Sequence, residues 1–188
     1  MITEAFILSI LIGFIRRGNL GNLGRTPLRH FYLFVLPMVL FAAAYYVLCA
    51  LGGEHFLLYI RAANLLQYVI LLTAIGLNLH LSGMWLAGVG TFMNFLVMAA
   101  NGGVMPVSMK ALQIAHLTDL MNPEHGLLRH AIMTPGTHLK PIADIIPIPG
   151  YAFIMPQVAS VGDVLVAVAV FILVQRYMCM GKALSVES

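Results

Sequence analysis

Charge is what this chain has least of. Of its 188 residues only 9% are Asp, Glu, Lys or Arg, while 61% are hydrophobic and mean hydropathy is +0.93. A soluble domain carries about 25% charged residues, so charges this sparse cannot coat a soluble globule. The apolar runs far exceed strand length, and in lipid each backbone donor must be satisfied within its own segment. The predicted class is therefore an all-α, polytopic transmembrane helix bundle, one membrane domain over residues 1–188. Cysteine is scarce as well: Cys49 and Cys179 lie in or beside different apolar runs, with no CxxC and no Cys/His metal spacing. That excludes a disulfide framework. HExxH, GxSxG and the Walker ending are absent, as are the paired acidic motifs of prenyl- or phosphatidyl-transferring enzymes. No cofactor is expected. The basic residues are too few and too scattered for nucleic acid. Met1-Ile2-Thr3-Glu4 has no basic n-region, and the Arg16-Arg17 pair follows the first apolar run. That reverses a signal peptide, so no cleavage is expected.

The apolar runs divide the chain into five predicted spans, at about 2–15, 31–51, 62–79, 84–101 and 161–178. The first is short against the roughly 20 residues that cross a bilayer, and either fits thinly or lies partly in the interface. Pro37 sits inside the second span, where it is a possible kink, and Gly52-Gly53-Glu54-His55 ends it. Arg61 interrupts the third run, which makes Phe56–Ile60 an interfacial lead-in. The tight connection Asn78–Gly83 predicts an antiparallel hairpin of spans three and four. In the fourth, Gly83, Ala87 and Thr91 recur at i, i+4 with Gly88 and Gly90 between, a pattern that favours close helix contact.

The stretch Asn101-Gly102-Gly103-Val104-Met105-Pro106 closes the fourth span. Glycine admits φ > 0 and proline fixes φ and removes a donor, so Gly102, Gly103 and Pro106 are read as turn-forming. Beyond them, residues 102–160 are too polar and proline-rich to span, and form a long, partly ordered outer region. One short helix is expected within Val107–Leu120.

Orientation follows from the arginines. The loop between the first two spans holds Arg16, Arg17, Arg25 and Arg29 and no acid, a cytoplasmic pattern. Arg176 and Lys182 join them on the inner side, whereas the outer basic residues Arg61, Lys110, Arg129 and Lys140 are spread among more acids. The N-terminus is then outside and the C-terminus cytoplasmic. The doubled Gly-Asn-Leu of that loop, at 18–20 and 21–23, could also cradle a phosphate, but it lacks the Lys-Ser/Thr ending of a P-loop.

Polar groups inside spans are expensive and mark function or helix locking. Arg61, Asn64 and Gln67 form a stripe on the third span; Thr91, Asn94 and Asn101 share a face of the fourth; Asp163 opens the fifth. Most fall in the outer third of the membrane, with Asn94 deeper. Together with Asp144 of Asp144-Ile145-Ile146-Pro147, they read either as interhelical hydrogen bonds or as an outward-facing ligand pocket. Asp163 is a first-turn acid at the positive helix end, or a carboxylate that pairs with Arg61 and lies close to Asn101. Burial in its apolar setting would raise the Asp144 pKa. His116, His125, His130 and His138, with Asp119 and Glu124, match no specific metal motif, and no metal is expected.

Asn101-Gly-Gly-Val-Met-Pro-Val107, Asp144-Ile-Ile-Pro147, Ser160-Val-Gly-Asp163 and Gly13-Phe-Ile-Arg-Arg-Gly-Asn-Leu20 occur in that set along the chain. With them the chain resembles a family of small bacterial integral-membrane proteins of unknown function, domain of unknown function 5317. The resemblance implies a bacterial inner (plasma) membrane location and supplies no activity. Three functions stay open: binding or transport of a small apolar molecule or lipid, an enzyme on a lipid-linked substrate using Asp163 or Asp144, or an accessory component of a complex with other membrane subunits. The first requires a closed apolar cavity beneath the outer region, the second clustered acids open to the headgroup layer, and the third a large apolar face with neither.

The topology is checked by cysteine labelling in a background without Cys49 and Cys179. His125→Cys should react from outside in intact cells, and Asn22→Cys only after permeabilisation. The reverse pattern would overturn the orientation.

Overall fold

The computed structural model of the chain describes residues 1–51, 56–118, 129–151 and 154–180. Glu54, His55, Asp119, Glu124, His125 and Lys182, named above, lie outside the described residues. The protein is mostly helical. Long apolar helices run over Ile2–Ile15 (α1), Tyr32–Leu51 (α3), Phe56–Leu77 (α4), Met84–Ala100 (α5) and Val161–Met178 (α7). Leu20–Leu23 (α2) and Met109–Ile114 (α6) are short. Two helices, Leu57–Leu77 and Val161–Met178, are long and apolar enough to cross a membrane.

Helix boundaries fall close to the expected ones, except in α4. There Phe56–Ile60 is not a separate lead-in but the first turn and a half of one continuous helix. A single arginine does not break a helix, since its side chain reaches out of the apolar zone while its backbone keeps its bonds. Pro37 lies inside α3, and its side chain is buried.

The outer region departs further from an all-α picture. Met105–Val107 (β1) and His130–Ile132 (β2) pair in parallel, with Pro106 opposite Ala131. Ile146–Ile148 (β3) and Gln157–Ala159 (β4) pair antiparallel, with Pro147 opposite Val158. A bridge between Val107 and Asp144 links the two ladders. Prolines cannot donate to a ladder, which limits such strands to short pieces with one unbonded edge. Alternation over three residues is also too brief to read as a strand period. Within Val107–Leu120 the helix is confined to α6, whose Ser108 side chain accepts from the Ala111 amide at its start.

Polar side chains are buried within the apolar core, and large apolar side chains lie on the surface. Ser9, Asn64, Asn78, Thr91, Asn94, Ser160 and Gln175 are buried, while α1 exposes Ile7, Leu11 and Ile15, and α5 exposes Trp85, Val89 and Phe92. Several of these buried polar groups bond a neighbour's backbone or side chain. Asn78 donates to the carbonyls of Arg29 and Ala74 and accepts from the Arg29 amide, which ties the arginine loop to the end of α4. Gln175 donates to the Ser9 carbonyl at 2.5 Å and accepts from Arg16 at 2.9 Å, which joins α1 to α7.

The closest seam is α5 against α7, antiparallel. A side chain at Gly83, whose φ is 86°, would meet the Ala169 carbonyl at 2.7 Å. One at Gly90 would run into the Gly162 carbonyl, and one at Gly162 into the Gly90 carbonyl and the Asn94 amide oxygen. Both strips of backbone are in contact, as small residues allow. The expected role of Gly83 and Ala87 in close contact is thus located on α7, where Ala87 and Ala169 share a core cluster with Ile75.

Gly90→Ala and Gly162→Ala should each lose about 1–3 kcal/mol through overpacking, read as a lower thermal midpoint in detergent. Gly76→Ala is the control: nothing lies within 4 Å of its added methyl, and it should be neutral or slightly stabilising, since alanine is the better helix former. Equal losses at all three positions would refute the close seam.

Candidate functional site

The site is built where α7 begins. Ser160 is its N-cap, and its hydroxyl accepts from the Asp163 amide at 2.9 Å while its own amide donates to the Asp163 carboxylate at 3.1 Å. This capping box satisfies orphan donors of the first turn. Asn94 of α5 closes it into a ring. Its amide nitrogen donates to the other Asp163 oxygen at 2.8 Å, and its amide oxygen accepts from the Ser160 hydroxyl at 2.7 Å. Glycine at 162 leaves the room that Asn94 occupies.

Asp144 approaches the same place from the outer cap. Its backbone is held on both sides: its amide donates to the Pro106 carbonyl at 3.1 Å, and its carbonyl accepts from Ser108 at 2.9 Å. With the backbone clamped between β1 and the start of α6, the side chain points inward and is 5% exposed. One carboxylate oxygen lies 3.5 Å from the His130 Nε2. The other is buried with no hydrogen-bond partner among the described residues.

Two hollows meet at this carboxylate. A polar chamber of about 210 Å³ is walled by Tyr68, Asn94, Arg129, His130, Asp144 and Asp163, with Met98 and Met105. On the far side, a mainly apolar cavity of about 200 Å³ is walled by Val107, Leu112, Leu117, Ile132 and Val158, with Asp144 and His130 again in the wall.

Desolvation pushes the Asp144 pKa up to about 8, and the negative charge of Asp163 adds to the shift. Desolvation also lowers the pKa of His130, with Arg129 assisting and Asp163 opposing. Asp144 and His130 thus meet at neutral pH as two uncharged groups rather than as an ion pair, in keeping with their long separation. Arg129 does not reach across to neutralise Asp144: its guanidinium stands over the Phe41 ring, 5.0 Å from the centroid.

Three of the expected site residues, Asn94, Asp144 and Asp163, come together around the chamber. The others do different work. Asn64 donates to the Gly103 carbonyl at 3.0 Å. Gln67 bonds the Ala63 carbonyl of its own helix. Arg61 is exposed, and its backbone packs on Gly103, where an added side chain would meet the Arg61 carbonyl at 2.7 Å. Asn101 turns away from α7. It donates to the carbonyls of Val97 and His138 and accepts from the His138 amide, so it anchors the cap. The expected pairing of Asp163 with Asn101 or Arg61 is therefore replaced by Asn94 and Ser160. The helix start offers its carboxylate two donors at closer range, and Asn101 is drawn off by a free backbone strand of the cap. Gly102 and Gly103 both have positive φ, 68° and 83°, as a turn there requires, and Pro106 lies in β1.

Tyr68, Arg129 and His130 complete the chamber without having been singled out as its members. Tyr68 lies four residues past Asn64, on one face of α4, a spacing that could have found it. No local signal brings Arg129 and His130 to Asp144, because the parallel β1–β2 ladder does that. Among the described residues no three His, Cys, Asp or Glu side chains group closely enough to hold a metal ion.

Fold and site together define a mostly helical protein with at least two helices fit to cross a membrane and a small capped chamber at the end of the bundle. Residues 25–175 match the family of unknown function DUF5317, and the chain belongs to that family. Comparison with curated proteins and with solved structures gives no match.

The Asp144 carboxyl yields a stability prediction. Its folded pKa lies above the unfolded value of 3.8, so the folded state holds a proton that the unfolded state has lost between about pH 4 and 8. Stability falls as pH rises through that window, by at most about 1.4 kcal/mol per unit, and levels off above about pH 8. Asp144→Asn cannot titrate. Thermal unfolding in detergent should show the variant gaining on the wild-type chain from pH 5 to pH 8. A constant difference would mean that Asp144 ionises normally.

Proposed function

We propose that the protein is a multi-pass bacterial inner-membrane protein whose five long apolar helices cross the bilayer, with the N-terminus outside, and whose outer cap binds a small, mostly apolar molecule. The many large apolar side chains on the surface, with polar groups buried between helices, support the membrane reading. Apolar side chains on the surface of α1, α4 and α5 suit lipid contact, whereas buried Asn, Ser and Gln bond between helices. The cytoplasmic side is then the arginine loop between α1 and α3, and the cap of β1–β4 with α6 lies outside.

The binding reading rests on one observation: a mainly apolar, partly open cavity under the cap shares its wall, at Asp144, with the polar chamber. A pocket lined by apolar side chains with a few convergent polar groups is the common form of a small-molecule site. An enzyme on a lipid-linked substrate would place its acids open to the headgroups. Asp144 is instead buried, and Asp163 is occupied by a helix cap. Whether the bound molecule is carried onward or only sensed depends on partners, and other membrane subunits are the natural ones.

The test is native mass spectrometry of protein extracted gently from its own membrane. A small-molecule adduct should accompany the wild-type chain. Ala131→Phe, which places a ring in the cavity wall, should leave the chain folded and remove the adduct. The same adduct on both proteins, or none on the wild type, would count against a site in this cavity.

A further inference from the structure

Asp144 carries a feature that neither stability nor the helix cap explains. Leaving a buried acceptor unpaired is costly, and one oxygen of this carboxyl is buried without a partner among the described residues. The oxygen belongs to a side chain held rigidly by backbone bonds on both sides, in the wall between an apolar cavity and a polar chamber. Such an acceptor is complementary to a donor brought in by a ligand.

Charge decides which donor fits. Asp144 and Asp163 bring two acids to the chamber, and Arg129 is the cation facing them there; Tyr68 and His130 complete its titratable wall. The Asp163 oxygens are taken up by Asn94 and Ser160, and the Arg129 guanidinium is engaged with Phe41. When Asp144 ionises, the chamber holds one negative charge in excess. A neutral donor would leave that charge buried and uncompensated, whereas an ammonium would cancel it. The other wall of the cavity, from Val107, Leu112, Leu117, Ile132 and Val158 with Gln157 beside them, suits a mainly apolar body.

We infer that the site recognises a small lipophilic primary amine, its ammonium donating to the unpartnered Asp144 oxygen and its hydrocarbon part filling the cavity beneath the cap. This deepens the binding reading above and rests on it. Because the empty site holds Asp144 protonated below about pH 8, binding of the cation releases that proton to solvent. Affinity therefore rises with pH, by up to about tenfold per unit between pH 6 and 8, and flattens beyond. His130, whose pKa burial holds below the usual imidazole value, adds little opposing charge at neutral pH and above.

The probes are hexylamine, 1-hexanol, hexanoate and hexyltrimethylammonium, titrated calorimetrically into the full chain in phosphatidylcholine nanodiscs, with empty nanodiscs subtracted. Hexylamine should bind saturably and at least tenfold more tightly than 1-hexanol. Hexanoate should not bind, and hexyltrimethylammonium, which has no N–H, should bind more weakly than hexylamine. Asp144→Asn should lose at least tenfold in hexylamine affinity, and wild-type binding should release a proton whose uptake by buffers of different ionisation heat is measurable. If 1-hexanol binds as well as hexylamine, or Asp144→Asn keeps its affinity, the amine inference falls while the cavity reading stands. If no probe binds, or Ala131→Phe leaves hexylamine binding unchanged, the cavity reading falls with it. The proton release is read on wild-type protein, so an Asp144→Asn chain that failed to fold would still leave the inference open to refutation by its absence.

Discussion

The contact between Gly90 and Gly162 is the constraint on which the capped end of the molecule depends. Two glycines facing each other bring the α5 and α7 backbones within reach, and that approach sets the depth at which Asn94 meets the start of α7. Asn94 can then bond both members of the Ser160–Asp163 capping box. In a segment surrounded by apolar atoms, polar groups are stable only when each is answered by another. The ring of Asn94, Ser160 and Asp163 meets that condition without water. It pins the end of α5 to the beginning of α7, and hence the two ends of the cap that runs between them.

The cap itself is held by a second set of bonds. Asn101 grips the backbone of His138, Asn64 grips that of Gly103, and the β1–β2 and β3–β4 ladders fix the remainder. With three-residue strands and proline in β1 and β3, neither ladder would persist alone. They hold because Met105 and Ala143 of the cap pack with Val97 and Met98 of α5 in one apolar cluster. Asp144 is clamped at the junction of both ladders. A carboxyl in that position cannot swing out to water, which accounts for its raised pKa and for the oxygen left without a donor.

The polar groups thus separate by task. Asn78, Gln175 and Asn94 lock helices to one another or to loops, each through short bonds to fixed partners. Among the described residues Asp144 is buried with one carboxylate oxygen unbonded, and with His130 it stands between an apolar and a polar hollow. A group whose bonding is complete stabilises; one whose bonding is incomplete, in a rigid setting, is suited to a ligand. Asp163, which its helix-opening position made the more conspicuous acid, belongs to the first kind.

Sequence by itself determined the helices and their bounds. Apolar runs separated by Arg16–His30, by Asn78–Gly83 and by Asn101–Pro106 are local features, and backbone hydrogen bonding within a run needs no distant partner. It determined as well the positive φ of Gly102 and Gly103, and the capping of α7, since Ser160 and Asp163 stand three residues apart. It also brought out Asn94, Asp144 and Asp163 as costly residues. What only the tertiary structure decided is which of these meet. At its own depth Asp163 had Asn101, Arg61 and the Asn64/Gln67 stripe in view, with Asn94 deeper, and it was the glycine seam, a contact between residues more than 70 apart, that brought Asn94 to it instead. The strands of the cap were equally hidden, because three-residue pieces rich in proline carry no readable period. His130 and Arg129 reach Asp144 through a parallel pairing across intervening chain, and no spacing along a sequence specifies which distant strand a short edge will choose.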